Sequence, residues 1–127
     1  MGIFAKIFTW WDGATFGTSL YSARNGVIMG TDDLGNRYYT SRDGKRRWVI
    51  YNGANDASRV PPEWHGWLHH THDGNPESYL PRMRKWEIDA TGNLTGTSDA
   101  YRPAGALEEG GKRARATGDY QAWSPKA

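Results

Sequence analysis

The sequence contains no cysteine, which excludes disulfides, thiolate zinc sites, cysteine-ligated iron–sulfur clusters and thiol nucleophiles together. That absence fits a reducing compartment. Branched aliphatics are scarce, with 3 Val, 5 Ile and 6 Leu among 127 residues. Adding the 3 Phe gives 17 residues, below the roughly 20% at which an ordinary core becomes doubtful. A large, self-sufficient aliphatic core is therefore excluded. No apolar run approaches the roughly 20 residues needed to cross a bilayer. Residues Gly2 to Trp11 are apolar but shorter, and they lack the basic n-region and small-residue cleavage site of a secretory signal. An excess of one charge is missing too: 16 Lys and Arg against 14 Asp and Glu leave a net charge of +2. A disordered chain usually carries more, and so small a positive excess is only a weak pointer to an anionic partner.

What the sequence does have is aromatic surface and chain breakers: 7 Trp, 7 Tyr, 16 Gly and 6 Pro. Ile3, Phe4, Ile7, Phe8 and Trp11 fall at helical spacing, with Lys6 and Thr9 opposite, which predicts a helix over residues 2–11. A ten-residue helix is marginal alone in water and needs a surface. That surface is the rest of the domain, a partner, or a membrane interface suited to Trp10 and Trp11. Gly13, Gly17 and Asn25-Gly26 then read as a loop-like connection.

Residues 27–51 are the most regular part. Val27-Ile28-Met29 reads as a strand and Asp33-Leu34-Gly35-Asn36 as a turn. Arg37 to Arg42 and Lys45 to Tyr51 form two further strands around Asp43-Gly44, the preferred pair for a two-residue type I′ loop. This register pairs Arg42 with Lys45, Thr40 with Arg47 and Tyr38 with Val49 on one face. Tyr39 meets Trp48, and Arg37 meets Ile50, on the other. Cross-strand pairs of this kind contribute roughly 0.2–1 kcal/mol each. A three-stranded meander is small enough that both its faces need cover.

Residues 60–70 read as a short helix, with Pro62 in its first turn and Glu63 at the positive helix end. Trp64, Trp67 and Leu68 make one stripe at i, i+3 and i+4. Arg84 to Asp89 reads as a further short strand, and residues beyond Thr91 as an extended arm that needs a surface from elsewhere. The fold class expected is α+β: a small three-stranded antiparallel β-meander with short helices and long irregular extended segments. It forms a single domain with three parts: 1–26, an amphipathic helix and its connection; 27–90, the meander and the short helix; and 91–127, the C-terminal arm.

Chemistry is sparse. His65 and His69 stand at i, i+4, with His70 and His72 nearby, but no H-E-x-x-H register or cysteine supports zinc. These histidines equally suit a helix C-terminus and its loop. No G-x-S-x-G, P-loop or dinucleotide fingerprint is present. Arg37, Arg42, Lys45, Arg46 and Arg47 bracket the aromatic hairpin, a pattern open to phosphate contact with base stacking, to docking on an acidic protein, or to plain solvation.

A more specific pattern lies in the order of three blocks: Gly35-Asn36-Arg37-Tyr38-Tyr39, Arg47-Trp48-Val49-Ile50-Tyr51, and Val60-Pro61-Pro62-Glu63-Trp64-His65-Gly66-Trp67-Leu68-His69. Asn93-Leu94-Thr95-Gly96-Thr97 and Trp123-Ser124-Pro125 extend it. In these blocks the chain resembles the 17.2 kDa accessory subunit family of NADH:ubiquinone oxidoreductase, respiratory complex I, in a bacterial form without a mitochondrial presequence. The resemblance covers roughly residues 10–125. It implies a non-catalytic subunit without cofactor or metal, lying on the peripheral arm near its junction with the membrane arm. The implied partners are other complex I subunits, especially those holding iron–sulfur clusters. The implied place is peripheral to the inner membrane, on the cytoplasmic side in a bacterium. A sibling branch acts as a transient assembly factor, and the Trp123-Ser124-Pro125 match favours the resident subunit. A small nucleic-acid-binding module is the rival from another class.

The residues assigned to partner contact are Trp10, Trp11, Arg46, Trp48, Trp64, His65, Trp67 and Trp123. Trp48, Trp64 and Trp67 are expected to share a core, each Trp being open to core or interface. The N-terminal helix and the tail are expected to clasp neighbours, with lipid contact through that helix left open. The basic hairpin is expected to face acidic surface.

Overall fold

The computed structural model describes residues 2–9, 13–79, 84–116, 118, 120 and 122–126. The chain divides into two compact units, Met1–Asn93 and Leu94–Ala127.

The first unit is an α+β arrangement around one small sheet. Helix α1 spans Ile3–Phe8 and α2 spans Phe16–Asn25, followed at once by β1, Gly26–Thr31. Strands β2, Arg37–Ser41, and β3, Arg47–Ile50, complete an antiparallel sheet in the order β1-β2-β3. Helix α3, Pro62–Leu68, and the single turn α4, Pro76–Tyr79, follow a short 3-10 turn at Ala57–Arg59. The β2–β3 register is the expected one: Arg37 opposes Ile50, Tyr38 opposes Val49, Tyr39 opposes Trp48 and Thr40 opposes Arg47.

The loop between β2 and β3 differs from the type I′ expectation. Among Asp43 and Gly44 only Gly44 has a positive φ, 72°, whereas type I′ needs two such residues. The Gly44 N–H instead donates to the Ser41 carbonyl at 2.9 Å, and the Ser41 N–H to the Arg46 carbonyl at 2.8 Å. Asp43 folds back to accept from the Ser41 hydroxyl and from the Lys45 N–H. That side-chain bonding stabilises a four-residue connection in place of the two-residue one.

Residues 13–26 are a second departure, since α2 occupies most of the expected loop. Thr15 caps it, its side chain accepting from the Thr18 N–H at 3.2 Å. The helix survives Gly17 because its other face is anchored: Trp48 Nε1 donates to the buried Ser22 hydroxyl at 2.9 Å. Residues 84–89 are the third. They form a turn, not a strand, closed by the Glu87 N–H on the Arg84 carbonyl and by the Arg84 N–H on the Glu87 carboxylate.

The period-2 alternation of β2 and β3 assigns each face of the sheet its own cover. On the Tyr38 and Val49 face lies α3, whose Trp64 and Trp67 are 2% and 1% exposed over a Tyr38 that is fully buried. Tyr38 stacks on Trp64 with centroids 4.0 Å apart and planes 6° off parallel, while Trp67 meets both edge-on. Such pairs add about 0.5–1.5 kcal/mol each beyond area burial. Gly30 permits the contact: a Cβ there would come within 2.8 Å of the Trp64 ring. On the Tyr39 and Trp48 face lies α2, with Tyr21 against Trp48 at 5.5 Å. A core of three aromatics thus stands where an aliphatic core cannot.

The second unit is sparse. A 3-10 turn at Leu107–Glu109 ends on Gly110 at φ 89°, and Arg102 pairs with Glu108 at 2.6 Å. Tyr101, Leu107, Tyr120 and Trp123 are all largely exposed.

Candidate partner-binding surface

What positions α3 over the sheet is a polar network that sequence reasoning missed. The Asp32 carboxylate accepts from the Asn36 N–H at 2.9 Å, from Asn36 Nδ2 at 2.8 Å and from the Tyr38 hydroxyl at 2.7 Å. Asn36 is fully buried; its Nδ2 also donates to the Arg59 carbonyl and its Oδ1 accepts from the Asn52 N–H. These bonds tie the β1–β2 turn to residues 52–59, the segment that delivers the chain to α3. Among the described residues no buried side-chain polar atom is left without a partner, as buried polar groups require.

Burial, and then the hydrogen bond to Asp32, push the Tyr38 phenol well above its usual range. The folded state therefore holds this proton more tightly than the unfolded state does. The stability so gained is present below the ordinary tyrosine value near 10 and is lost as pH rises above it. Tyr38→Phe is expected to cost about 1.5–3 kcal/mol at neutral pH and to flatten the loss of stability above pH ~10. Urea midpoints of the two proteins across pH 7–11 check both points.

The expected partner residues end up in different settings. Trp10 and Trp11 lie outside the described residues. Trp64 and Trp67 are spent in the core just described. Trp48 is half-buried, stacked on Tyr39 and held by Ser22. His65 is exposed on α3, its ring 4.0 Å from that of His69. Trp123, 82% exposed, belongs to the second unit. Arg46 is exposed, and with Trp48 it lines a groove of about 660 Å³ beside β3.

Two neighbours of these residues behave unlike their sequence class. Arg47 does not join the exposed basic face of the hairpin. Its guanidinium donates to the Trp67 carbonyl at 2.7 Å, the His72 carbonyl at 2.9 Å and Asp73 at 2.5 Å, and it sits 4.8 Å above the Trp67 ring. Arg42 likewise turns back, to the Arg24 carbonyl. The histidines close α3: His69 Nδ1 lies 2.8 Å from the His65 carbonyl, and His70 takes a left-handed φ of 56°. The His70 N–H reaches the Trp67 carbonyl and the Thr71 N–H the Gly66 carbonyl, a Schellman ending with His where Gly is usual. Among the described residues no three His, Asp or Glu side chains converge as a metal group.

Apolar surface is left over in both units. Ile3, Phe4, Ile7 and Phe8 of α1 are exposed, with no buried residue in that helix. Phe16, Leu20, Trp86, Ile88, Tyr101 and Trp123 are exposed as well. An α+β chain with a small aromatic core and this much uncovered apolar side chain is one built to be packed against.

The family model described as NADH ubiquinone oxidoreductase subunit NDUFA12 matches residues 26–125, and the chain belongs to that family. The match bears out the resemblance carried by the Val60–His69 block. Among relatives, the chain is 43% identical over 94 residues to NADH dehydrogenase [ubiquinone] 1 alpha subcomplex subunit 12 of Bos taurus, covering 63% of this chain and 64% of that one. It is 40% identical over 87 residues to the Dictyostelium discoideum protein of the same name, covering 65% and 63%. A protein of Rickettsia prowazekii named only as uncharacterized is 42% identical over 48 residues, covering 33% of this chain and 48% of that one. The aligned stretch thus spans a little under two thirds of the eukaryotic relatives' length.

Proposed function

We propose that this protein is a non-catalytic accessory subunit of respiratory complex I, bound to the peripheral arm near its junction with the membrane arm. The observation that carries the reading is the family match over residues 26–125. The leftover apolar surface supports it, because aromatic and apolar side chains serve as buried anchors once a partner covers them. In this reading residues 27–90 fold on themselves, while α1 with Trp10 and Trp11, and residues 91–127 with Trp123, clasp neighbouring subunits. The cluster-bearing subunits of the peripheral arm are the proposed neighbours, Arg46 and His65 facing them. Among the described residues no helix is long and apolar enough to cross a membrane, so attachment is proposed to be peripheral, on the cytoplasmic side in a bacterium, with α1 at the lipid surface or on a subunit.

Affinity purification of the tagged chain from membranes solubilised in mild detergent tests this. A stoichiometric set of complex I subunits with NADH:quinone activity is the expected result. Recovery only with inactive partial assemblies would instead indicate a transient assembly factor. Recovery without any complex I subunit would overturn the reading.

A further inference from the structure

The two edges of the sheet are treated differently. An open edge offers unpaired N–H and C=O groups to any extended chain, and proteins usually block it with bulges, charges, proline or a covering element. The β1 edge is blocked twice, by a register shift between Ile28 and Gly30 and by Asn75, whose Nδ2 donates to the Met29 carbonyl at 2.9 Å. The β3 edge carries neither device. Its Trp48-Val49-Ile50 run has no charge and no proline, and the one cation within the strand, Arg47, is folded inward onto Trp67 and His72.

Register sets which groups that edge presents. The Ser41 N–H bonds the Arg46 carbonyl, so the in-phase pairs Tyr39–Trp48 and Arg37–Ile50 face each other with their backbone groups. Arg47 and Val49 therefore direct N–H and C=O away from β2, and among the described residues no turn or loop backbone group bonds them. Both residues line the groove beside β3. Thr18 and Tyr21 of α2, His70 beyond α3, and the cations Lys45 and Arg46 line it as well. Neither Lys45 nor Arg46 forms an ion pair among the described residues; Asp73 is paired with Arg47, and Asp43, bonded to the neutral Ser41 hydroxyl and Lys45 N–H, sets one negative charge near Arg46 against the two cations. The charge left for a visitor is positive.

We propose that β3 is an acceptor edge. An extended, carboxylate-bearing segment of a neighbouring subunit adds to it as a fourth strand, bonding the outward groups of Arg47 and Val49 and placing its carboxylates at Lys45 and Arg46. Strand addition of this kind draws affinity from main-chain bonds and specificity from the pockets and charges alongside. The inference rests on the complex I reading and names the surface and the partner chemistry that reading leaves open.

Hydrogen–deuterium exchange of residues 47–51, in the free full-length chain and in the complex captured from membranes, tests it without any mutation. Protection of the Val49 amide should rise at least about 100-fold on capture, while that of the already paired Trp48 amide changes less. Val49→Pro removes an N–H that β2 does not use, at a position where an edge strand accepts proline. Val49→Ala controls for the lost side chain. Capture of complex I subunits should fall at least about tenfold for Val49→Pro against Val49→Ala, and for Lys45→Glu/Arg46→Glu against wild type. Capture with active complex I but an unprotected Val49 amide would overturn the edge assignment and leave the accessory-subunit reading standing. Capture with no complex I subunit would overturn both.

Discussion

Replacing Trp67 by Ala should move the urea midpoint of the chain downward by more than about 1 M. The expected cost is about 3–5 kcal/mol, set by lost transfer energy and the cavity left behind, and the urea slope for small proteins is about 1–3 kcal/mol/M. Trp67 is 1% exposed and meets Tyr38 and Trp64 edge-on, at 6.5 and 5.5 Å. Only Tyr38, Trp64 and Trp67 are buried hydrophobics among the described residues, so no second core compensates. A domain holding about 5–15 kcal/mol in total loses much of its margin with one such residue. Trp64→Ala should behave similarly, because it removes the ring stacked 4.0 Å from Tyr38. Trp86 and Trp123, 73% and 82% exposed, are the internal controls. Their Ala variants should stay within about 0.5 kcal/mol of wild type. Equal midpoints for Trp67→Ala and Trp123→Ala would refute the aromatic core.

The contrast between those two groups of Trp was only half legible in the sequence. Trp64 and Trp67 share a helix face after Pro61-Pro62, so their common stripe could be read from spacing. The β2–β3 register could also be read, because alternation leaves one pairing that puts Tyr38 beside Val49. That same register placed Arg47 on the Tyr38 face, yet its charge argued for solvent, and its acceptors are carbonyls 20 and 25 residues away. Helix α2 was missed because its buried residue is Ser22, not an apolar stripe, and because Gly17 lowers helix propensity by about 1 kcal/mol. The one local signal was Thr15 as an N-cap. The Asp32–Asn36–Tyr38 network was hidden for a related reason. A fully buried Asn is uncommon, and its bonds to Asn52 and Arg59 depend on a turn that spacing does not reveal.

Adjacent arginines should separate folding from docking. Arg47→Ala is expected to cost about 3 kcal/mol, since it deprives the Trp67 and His72 carbonyls of a charged donor and uncovers the Trp67 ring. Arg47→Lys should recover only part of this. An ammonium is a compact point charge and cannot reproduce the planar fork that reaches Trp67, His72 and Asp73 together. Most of the Arg47 effect should persist at high salt, because two of its three partners are neutral carbonyls and its side chain is only 8% exposed. Arg46→Ala should leave the stability within about 0.5 kcal/mol of wild type, its side chain being exposed. Its effect should appear instead in capture of complex I subunits, and should shrink as salt rises past the regime where the Debye length is about 10 Å. Urea midpoints and capture yields at low and high salt, measured on the same three variants, decide the matter. An Arg46→Ala protein that unfolds early, or an Arg47→Ala protein of normal stability, would reverse the roles assigned to the two side chains. The physical difference between them is one residue: β3 begins at Arg47 and turns it onto the core, while Arg46, just before the strand, stays exposed.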